Sequence, residues 1–159
     1  MRLLRAVGLF ALIAALPAES AELVVKVEGL RSREGVVRLA LYDKADGFAK
    51  RGHQITSGAV TAANGRVVYR FHELAPGTYA VTLYHDENAN DKFDYTWIGL
   101  PDEGYGFSNG ARAVLGAPAF KDAAIAVDDG NNDISIKLTY WLAAAPAAGG
   151  PADPPEGSW

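Results

Sequence analysis

The 159-residue chain contains no cysteine. That one absence excludes disulfides, iron–sulfur clusters, thiolate zinc sites and cysteine nucleophiles together. Histidine is scarce, three in all, so a histidine-rich metal site is hard to assemble. An excess of positive charge is missing too. Fifteen Lys and Arg stand against nineteen Asp and Glu, a formal net charge of −4. A nucleic-acid binder needs a basic face to displace counterions from phosphate, so no nucleic-acid partner is expected. Beyond the N-terminal segment no apolar run approaches the roughly eighteen residues of a membrane-spanning helix. No transmembrane segment is therefore expected in the mature protein.

What the N-terminus does hold reads as an export signal. Arg2 and Arg5 supply its positive start, and Ala6 to Leu16 is an apolar run of eleven residues. That run is short for a bilayer core of ~30 Å. Ala18 and Ser20 are the small residues of a cleavage after Ser20, with an uncleaved anchor helix as the alternative. The expectation is an exported protein, periplasmic or extracellular, whose mature chain begins at Ala21.

From there the dominant period is two, the mark of half-buried strands. Leu23, Val25 and Val27 alternate with wetter residues, as do Val37, Leu39 and Leu41, then Val67, Tyr69 and Phe71. Tyr79, Val81 and Leu83 repeat the pattern, and so do Ile134, Ile136, Leu138 and Tyr140. Weaker strands are expected at Ile55–Val60 and Ala124–Val127. Turn chemistry separates them at Arg31–Gly35, Ala75-Pro76-Gly77 and Asp129–Asn132, and Asn64-Gly65 is a hairpin signal. Ala45–Arg51 is read as one helical turn. The fold class expected is all-β, an antiparallel immunoglobulin-like or prealbumin-like β-sandwich of about seven strands over residues 21–142. The last seventeen residues, Ala143–Trp159, hold six Ala, four Pro and three Gly and are expected to be disordered.

Asp86–Phe120 breaks the rhythm: thirty-five residues without clear alternation, read as one long loop insertion. Its first part places oxygen side chains at Asp86, Asn88, Asn90 and Asp94, the spacing of positions 1, 3, 5 and 9 in a calcium loop. Ca²⁺ takes roughly six to eight oxygens, and alternate residues of a tight loop point inward together. Position 6, where glycine makes the sharp turn, is Asp91, and position 12, where glutamate closes the shell, is Trp97. A closing carboxylate would have to come from Asp102 or Glu103. The same residues also make Asx turns that need no metal.

The second part, Trp97 to Asn109, sets Trp97, Tyr105 and Phe107 beside Glu103 and Asn109. Aromatic faces beside carboxylates and amides suit a carbohydrate or protein ligand. The preferred reading, which does not exclude ligand contact, is a lid in which Trp97, Tyr105 and Phe107 pack over one end of the sandwich, with Gly104 and Gly106 permitting turns. A small hydrolase using Asp86, Asp94 or Glu103 is the enzymatic alternative. His85 beside Asp86 suggests a base and its orienter, but adjacent strand residues point to opposite faces. Neither Ser57 nor Ser108 lies in a nucleophile motif. The leading expectation is a non-catalytic binding or accessory module, with Ca²⁺ as its candidate cation.

Some of these residues also carry a resemblance. Leu74-Ala75-Pro76-Gly77-Thr78-Tyr79 resembles a strand entry of prealbumin-like, carboxypeptidase-regulatory-like sandwiches. His85-Asp86-Glu87-Asn88-x-Asn90, Gly99-x-Pro101-x-Glu103-Gly104-Tyr105-Gly106-Phe107-Ser108-Asn109 and Pro118-x-Phe120-x-Asp122-Ala123 together resemble a bacterial exported family called domain of unknown function 2141. The likeness runs over about Glu22–Trp141. It implies an exported sandwich and supplies no activity.

Charge is uneven along the chain. Without residues 1–20 the net is −5, and Asp86–Glu103 alone, with six carboxylates and Lys92, also sums to −5. The acidity is one local patch, which attracts cations.

Overall fold

The computed structural model describes residues 20–114 and 116–141. Of the expected signal segment only Ser20 is among them, and the expected tail lies outside the described residues. The fold is all-β, with eight strands: β1 (Ala21–Leu30), β2 (Val36–Tyr42), β3 (Thr56–Thr61), β4 (Gly65–Leu74), β5 (Gly77–Asp86), β6 (Gly104–Phe107), β7 (Ile125–Val127) and β8 (Asn131–Lys137). A single helical turn, α1 (Phe120–Ala123), and a short 3-10 turn (Ser108–Gly110) lie between β6 and β7. No helix among the described residues is long and apolar enough to cross a membrane.

Two sheets form. One is three-stranded in the order β4-β1-β8, with β1 antiparallel to β4 and parallel to β8. The other runs β3-β2-β5-β6, all antiparallel, and β7 pairs separately with the start of β5. The alternation seen in the sequence sets the core. Leu23, Val25, Val27, Val37, Leu39, Leu41, Phe71, Val81 and Leu83 are buried between the sheets, with Ile136 of β8 and Leu138 just beyond it. Burying each such side chain is worth about 1.5–3 kcal/mol, the main force holding the sheets together.

Four expectations need correction. The strand count is eight, because β6 lies inside the supposed insertion. Its sequence Gly-Tyr-Gly-Phe shows no apolar alternation, since the inward positions are glycines. Asn64-Gly65 does not close a hairpin between paired strands: β3 pairs with β2 and β4 with β1, so this turn carries the chain from one sheet to the other. Ala45–Arg51 forms no helix but a run of turns, because Gly47 (φ 74°) and Ala49 (φ 59°) leave the helical region. Gly104 and Gly106 do not make turns; both are strand residues of β6.

Those two glycines permit close packing instead. A Cβ on Gly104 would stand 2.3 Å from the Tyr140 ring, and one on Gly106 would stand 2.7 Å from the Ile136 side chain. Glycine is what lets β6 lie against the β8 end of the other sheet. Tyr105 and Phe107 then face the opposite way, outward.

Candidate functional site

The motif His85-Asp86-Glu87 closes β5, and each of its side chains has a separate task. His85 points into the core and is fully buried. Its Nε2–H donates to the Glu34 carbonyl (2.8 Å), so its Nδ1 accepts from the Tyr140 hydroxyl (2.7 Å). Asp86, also fully buried, faces the other side. Arg38 Nε donates to its Oδ2 at 2.6 Å, and the Asp91 amide reaches the same oxygen at 2.9 Å. The Asn90 amide donates to Oδ1 at 3.0 Å. Burial alone would raise the Asp86 carboxyl, but Arg38 and the two amides outweigh it and hold it below its ordinary value. Glu87 grips Arg31 through Oε2 (2.9 Å to Nε) and accepts from Ser32 Oγ at 2.7 Å. Burial raises Glu87, and these partners more than offset it, so its pKa is lowered.

The acidic patch is therefore not bare. Arg31, Arg38 and Arg51, remote in sequence, pair with Glu87, Asp86 and Asp91 respectively. Arg38 also reaches Asp91 at 3.1 Å. Asp94 and Glu103 take part in none of the ion pairs among the described residues.

The loop itself curls as nested Asx turns. Asn88 Oδ1 accepts the Asn90 amide at 3.0 Å and Asn90 Oδ1 accepts the Lys92 amide at 2.8 Å. The side-chain amides of Asn88 and Asn90 both donate to Asp94 Oδ2, at 2.8 and 2.7 Å. Ala89 (φ 55°) and Asp91 (φ 62°) occupy the left-handed region usual for glycine. The structure thus brings Asn88, Asn90 and Asp94 to one point, with Asp86 bracing the loop from below. No three His, Asp or Glu side chains among the described residues are gathered as a preformed metal cage.

Glu103 sits just before β6. The last ladder pair is His85–Gly104, so one step further along the register Glu103 faces Asp86. It is 4% exposed, its Oε2 accepts the Asp94 amide at 3.3 Å, and its Oε1 has no hydrogen-bond partner. Burial is the main cause that pushes its pKa up to about 7; the Asp94 amide opposes it, and the charges of Asp86 and Asp94 add to it.

The aromatics divide. Trp97 is 97% exposed at the tip of a tight turn closed by Thr96 and Leu100, so it is not packed down as a lid. Tyr105 and Phe107 are half-buried, 6.1 Å apart, on the outer face of their sheet. Phe93 from the loop packs on Tyr84 (5.6 Å) and Tyr105 (6.1 Å). Asn109 (φ 56°) is exposed and donates to the Asp122 carbonyl at 2.9 Å, a link toward α1. Its neighbour Ser108 is fully buried and bonds the Val81 amide (2.8 Å) and the Ala123 carbonyl.

Above β2, β5 and β6 these side chains border an open cleft of about 1020 Å³. Tyr42, Tyr84, Tyr105 and Phe107 line it, with Phe93 and Tyr95 along the loop side and Arg38 and Thr82 between them. Among the described residues that line it, Asp91 is the only carboxylate. Arg38, Tyr84 and Thr82 escaped sequence reasoning as site residues. Their signal was present all the same: they are the outward positions of two strands whose inward positions were assigned to the core.

No curated protein matches the chain, and no solved structure does. The family described as an uncharacterized protein conserved in bacteria (DUF2141) matches residues 25–135, from β1 into β8 and across the whole acidic loop, and the chain belongs to this family.

Proposed function

We propose that this chain is an exported, non-catalytic binding or accessory module of immunoglobulin-like, prealbumin-like architecture, whose ligand lies in the cleft above β2, β5 and β6. The observation that carries this reading is the cleft's wall: four aromatic side chains, one arginine and one threonine on a rigid sheet, open to solvent. Aromatic faces with a few fixed polar groups suit a carbohydrate or a peptide. Two packed sheets of short strands, with the chain crossing between them, support the sandwich reading, and the N-terminal segment supports export. The hydrolase alternative finds less support. Asp86 and Glu103 are buried, Asp86 is held by Arg38, and neither they nor Asp94 line the cleft.

The test is a thermal-shift and calorimetric screen of soluble oligosaccharides and short peptides on the full chain. A ligand that stabilises the native protein should lose about tenfold or more in affinity in Tyr84→Ala and in Tyr105→Ala, since removing one stacked ring costs roughly 1–3 kcal/mol. It should be recovered intact after incubation. Unchanged binding in both variants removes the cleft from the reading, and cleavage of the ligand removes the non-catalytic claim.

A further inference from the structure

We propose that the cleft takes an anionic carbohydrate, an oligosaccharide bearing carboxylate groups, with its sugar faces along Tyr84 and Tyr105 and a carboxylate at Arg51 and Lys92. The inference rests on the cleft reading above and adds the charge and the chemical class of the ligand.

The floor of the cleft has a regular build. Strand pairing sets Arg38, Tyr84 and Tyr105 side by side across β2, β5 and β6. Two residues along the strands, it sets Ser57, Ala40 and Thr82 side by side across β3, β2 and β5. Directly paired residues share a face, so both rows point into the cleft, and all six border it. The first row is tall and the second is short. A trough therefore crosses the strands beside a ridge of one guanidinium and two rings. At a strand spacing of about 4.8 Å, three strands make it roughly 10 Å long. Phe107, paired with Thr82, stands at its end on β6. Ring faces along a ridge suit the C–H face of a sugar, and the Ser57 and Thr82 hydroxyls suit its hydroxyl groups. A peptide added as a strand needs an unpaired backbone edge. Here β2 and β5 each have a strand on both sides, so the middle of the floor offers side chains only.

The second observation is charge. The chain as a whole is acidic, with a net charge of −4. Yet Arg38, Arg51 and Lys92 border the cleft, against the carboxylate of Asp91. The carboxylates of Glu87, Asp94, Asp102 and Glu103 are not among its lining residues. Asp86, buried behind the wall, pairs with Arg38 at 2.6 Å, and Asp91 is shared by Arg38 and Arg51. With both carboxylates counted, the wall keeps one positive charge in excess. Its accessible carriers are Arg51, whose side chain is 74% exposed, and Lys92, exposed and in none of the ion pairs among the described residues. Arg51 donates from Nη1 to the Asp91 carbonyl and from Nη2 to Asp91 Oδ2, both at 2.8 Å. A guanidinium carries further N–H groups, which remain for a ligand carboxylate. Positive charge beside a row of rings, in a chain that is otherwise acidic, selects for an anionic sugar over a neutral one.

The test is calorimetry on the full chain with a short glucuronate oligosaccharide and with the same oligosaccharide after its carboxylates are reduced to alcohols. The acidic form should bind about tenfold more tightly at about 20 mM salt, and the difference should shrink at about 0.5 M. Lys92→Gln and Arg51→Gln should each weaken the acidic form about threefold and leave the reduced form unchanged. Tyr84→Ala should weaken both about tenfold or more. Circular dichroism checks that each variant is folded. Equal affinity for the two sugars overturns the inference. So does native-like affinity for the acidic form in both charge variants, absence of glucuronate binding by the folded native chain, or tighter binding of oligoglutamate, an acidic peptide, than of the sugar. If Tyr84→Ala still weakens both sugars while charge makes no difference, the cleft stands and only its preference for anions falls. If Tyr84→Ala changes nothing, the cleft reading itself falls.

Discussion

At the residue scale the acidic loop shows how a conformation survives without its usual glycines. Ala89 and Asp91 adopt φ values of 55° and 62°, where an L side chain is strained. For Asp91 the strain is offset by what the position gains: its amide reaches Asp86 and its carboxylate pairs with Arg38 and Arg51. Ala89 has no such gain from its methyl group. Ala89→Gly is therefore expected to stabilise the protein by about 1 kcal/mol, the left-handed penalty less the added entropy of the unfolded chain. Thermal denaturation checks the direction. A lower Tm in Ala89→Gly would mean that the methyl group contributes to packing.

At the element scale β6 explains why a stretch without hydrophobic alternation is still a strand. Its inward positions are Gly104 and Gly106, pressed against Tyr140 and Ile136, and its outward positions are Tyr105 and Phe107. The period of two is present, but it alternates absence with bulk. Gly104→Ala forces a Cβ into the Tyr140 ring and strains the Tyr140–His85 hydrogen bond. It should cost about 1–3 kcal/mol, the usual penalty of overpacking, read from urea denaturation. Tyr105→Ala, one residue on, should change stability less while removing part of the cleft wall. If the two variants lose stability equally, β6 is not positioned by its glycines. The residues that follow β6 have a matching role: Ser108 and Asn109 tie its end to the α1 segment through the Ala123 and Asp122 carbonyls.

At the scale of the whole molecule, the end of β5 is where separate parts of the chain are fastened together. Arg31, just after β1, reaches Glu87 and the Asp102 carbonyl, and its guanidinium lies 4.6 Å from the Tyr140 ring centre. Gly35 lies so close that a Cβ there would stand 1.9 Å from the Asp86 carbonyl oxygen. Glu87→Gln removes the charge that holds this junction and should destabilise the fold by about 2 kcal/mol at neutral pH. The pH dependence has a definite sign. Because Glu87 is lowered in the folded state from its ordinary value of 4.5, its contribution is present above that value. It fades as the pH falls through the lower folded value, and Glu87→Gln should lose that part of the acid limb. Denaturation curves recorded with chelator present separate this effect from any cation. An acid limb unchanged by the substitution would show that the Glu87 pair does not contribute.

Strand positions, the buried face of each strand and the Asx spacing of the loop could all be read from the chain, because each depends on neighbours a few residues away. Val37, Leu39 and Leu41 alternate whether or not their partners are known, and Asp86, Asn88 and Asn90 curl a loop by local hydrogen bonds. Sheet membership, the eighth strand and the full site could not be read this way. Arg38 meets Asp86 across 48 residues and Arg31 meets Glu87 across 56. Glu103 reaches the loop only because β6 pairs antiparallel with β5. Those contacts follow from which strands pair and in what register, and that is settled by packing two sheets over one core. The chain therefore announces a local excess of negative charge, while the fold determines which carboxylates find an arginine and which do not.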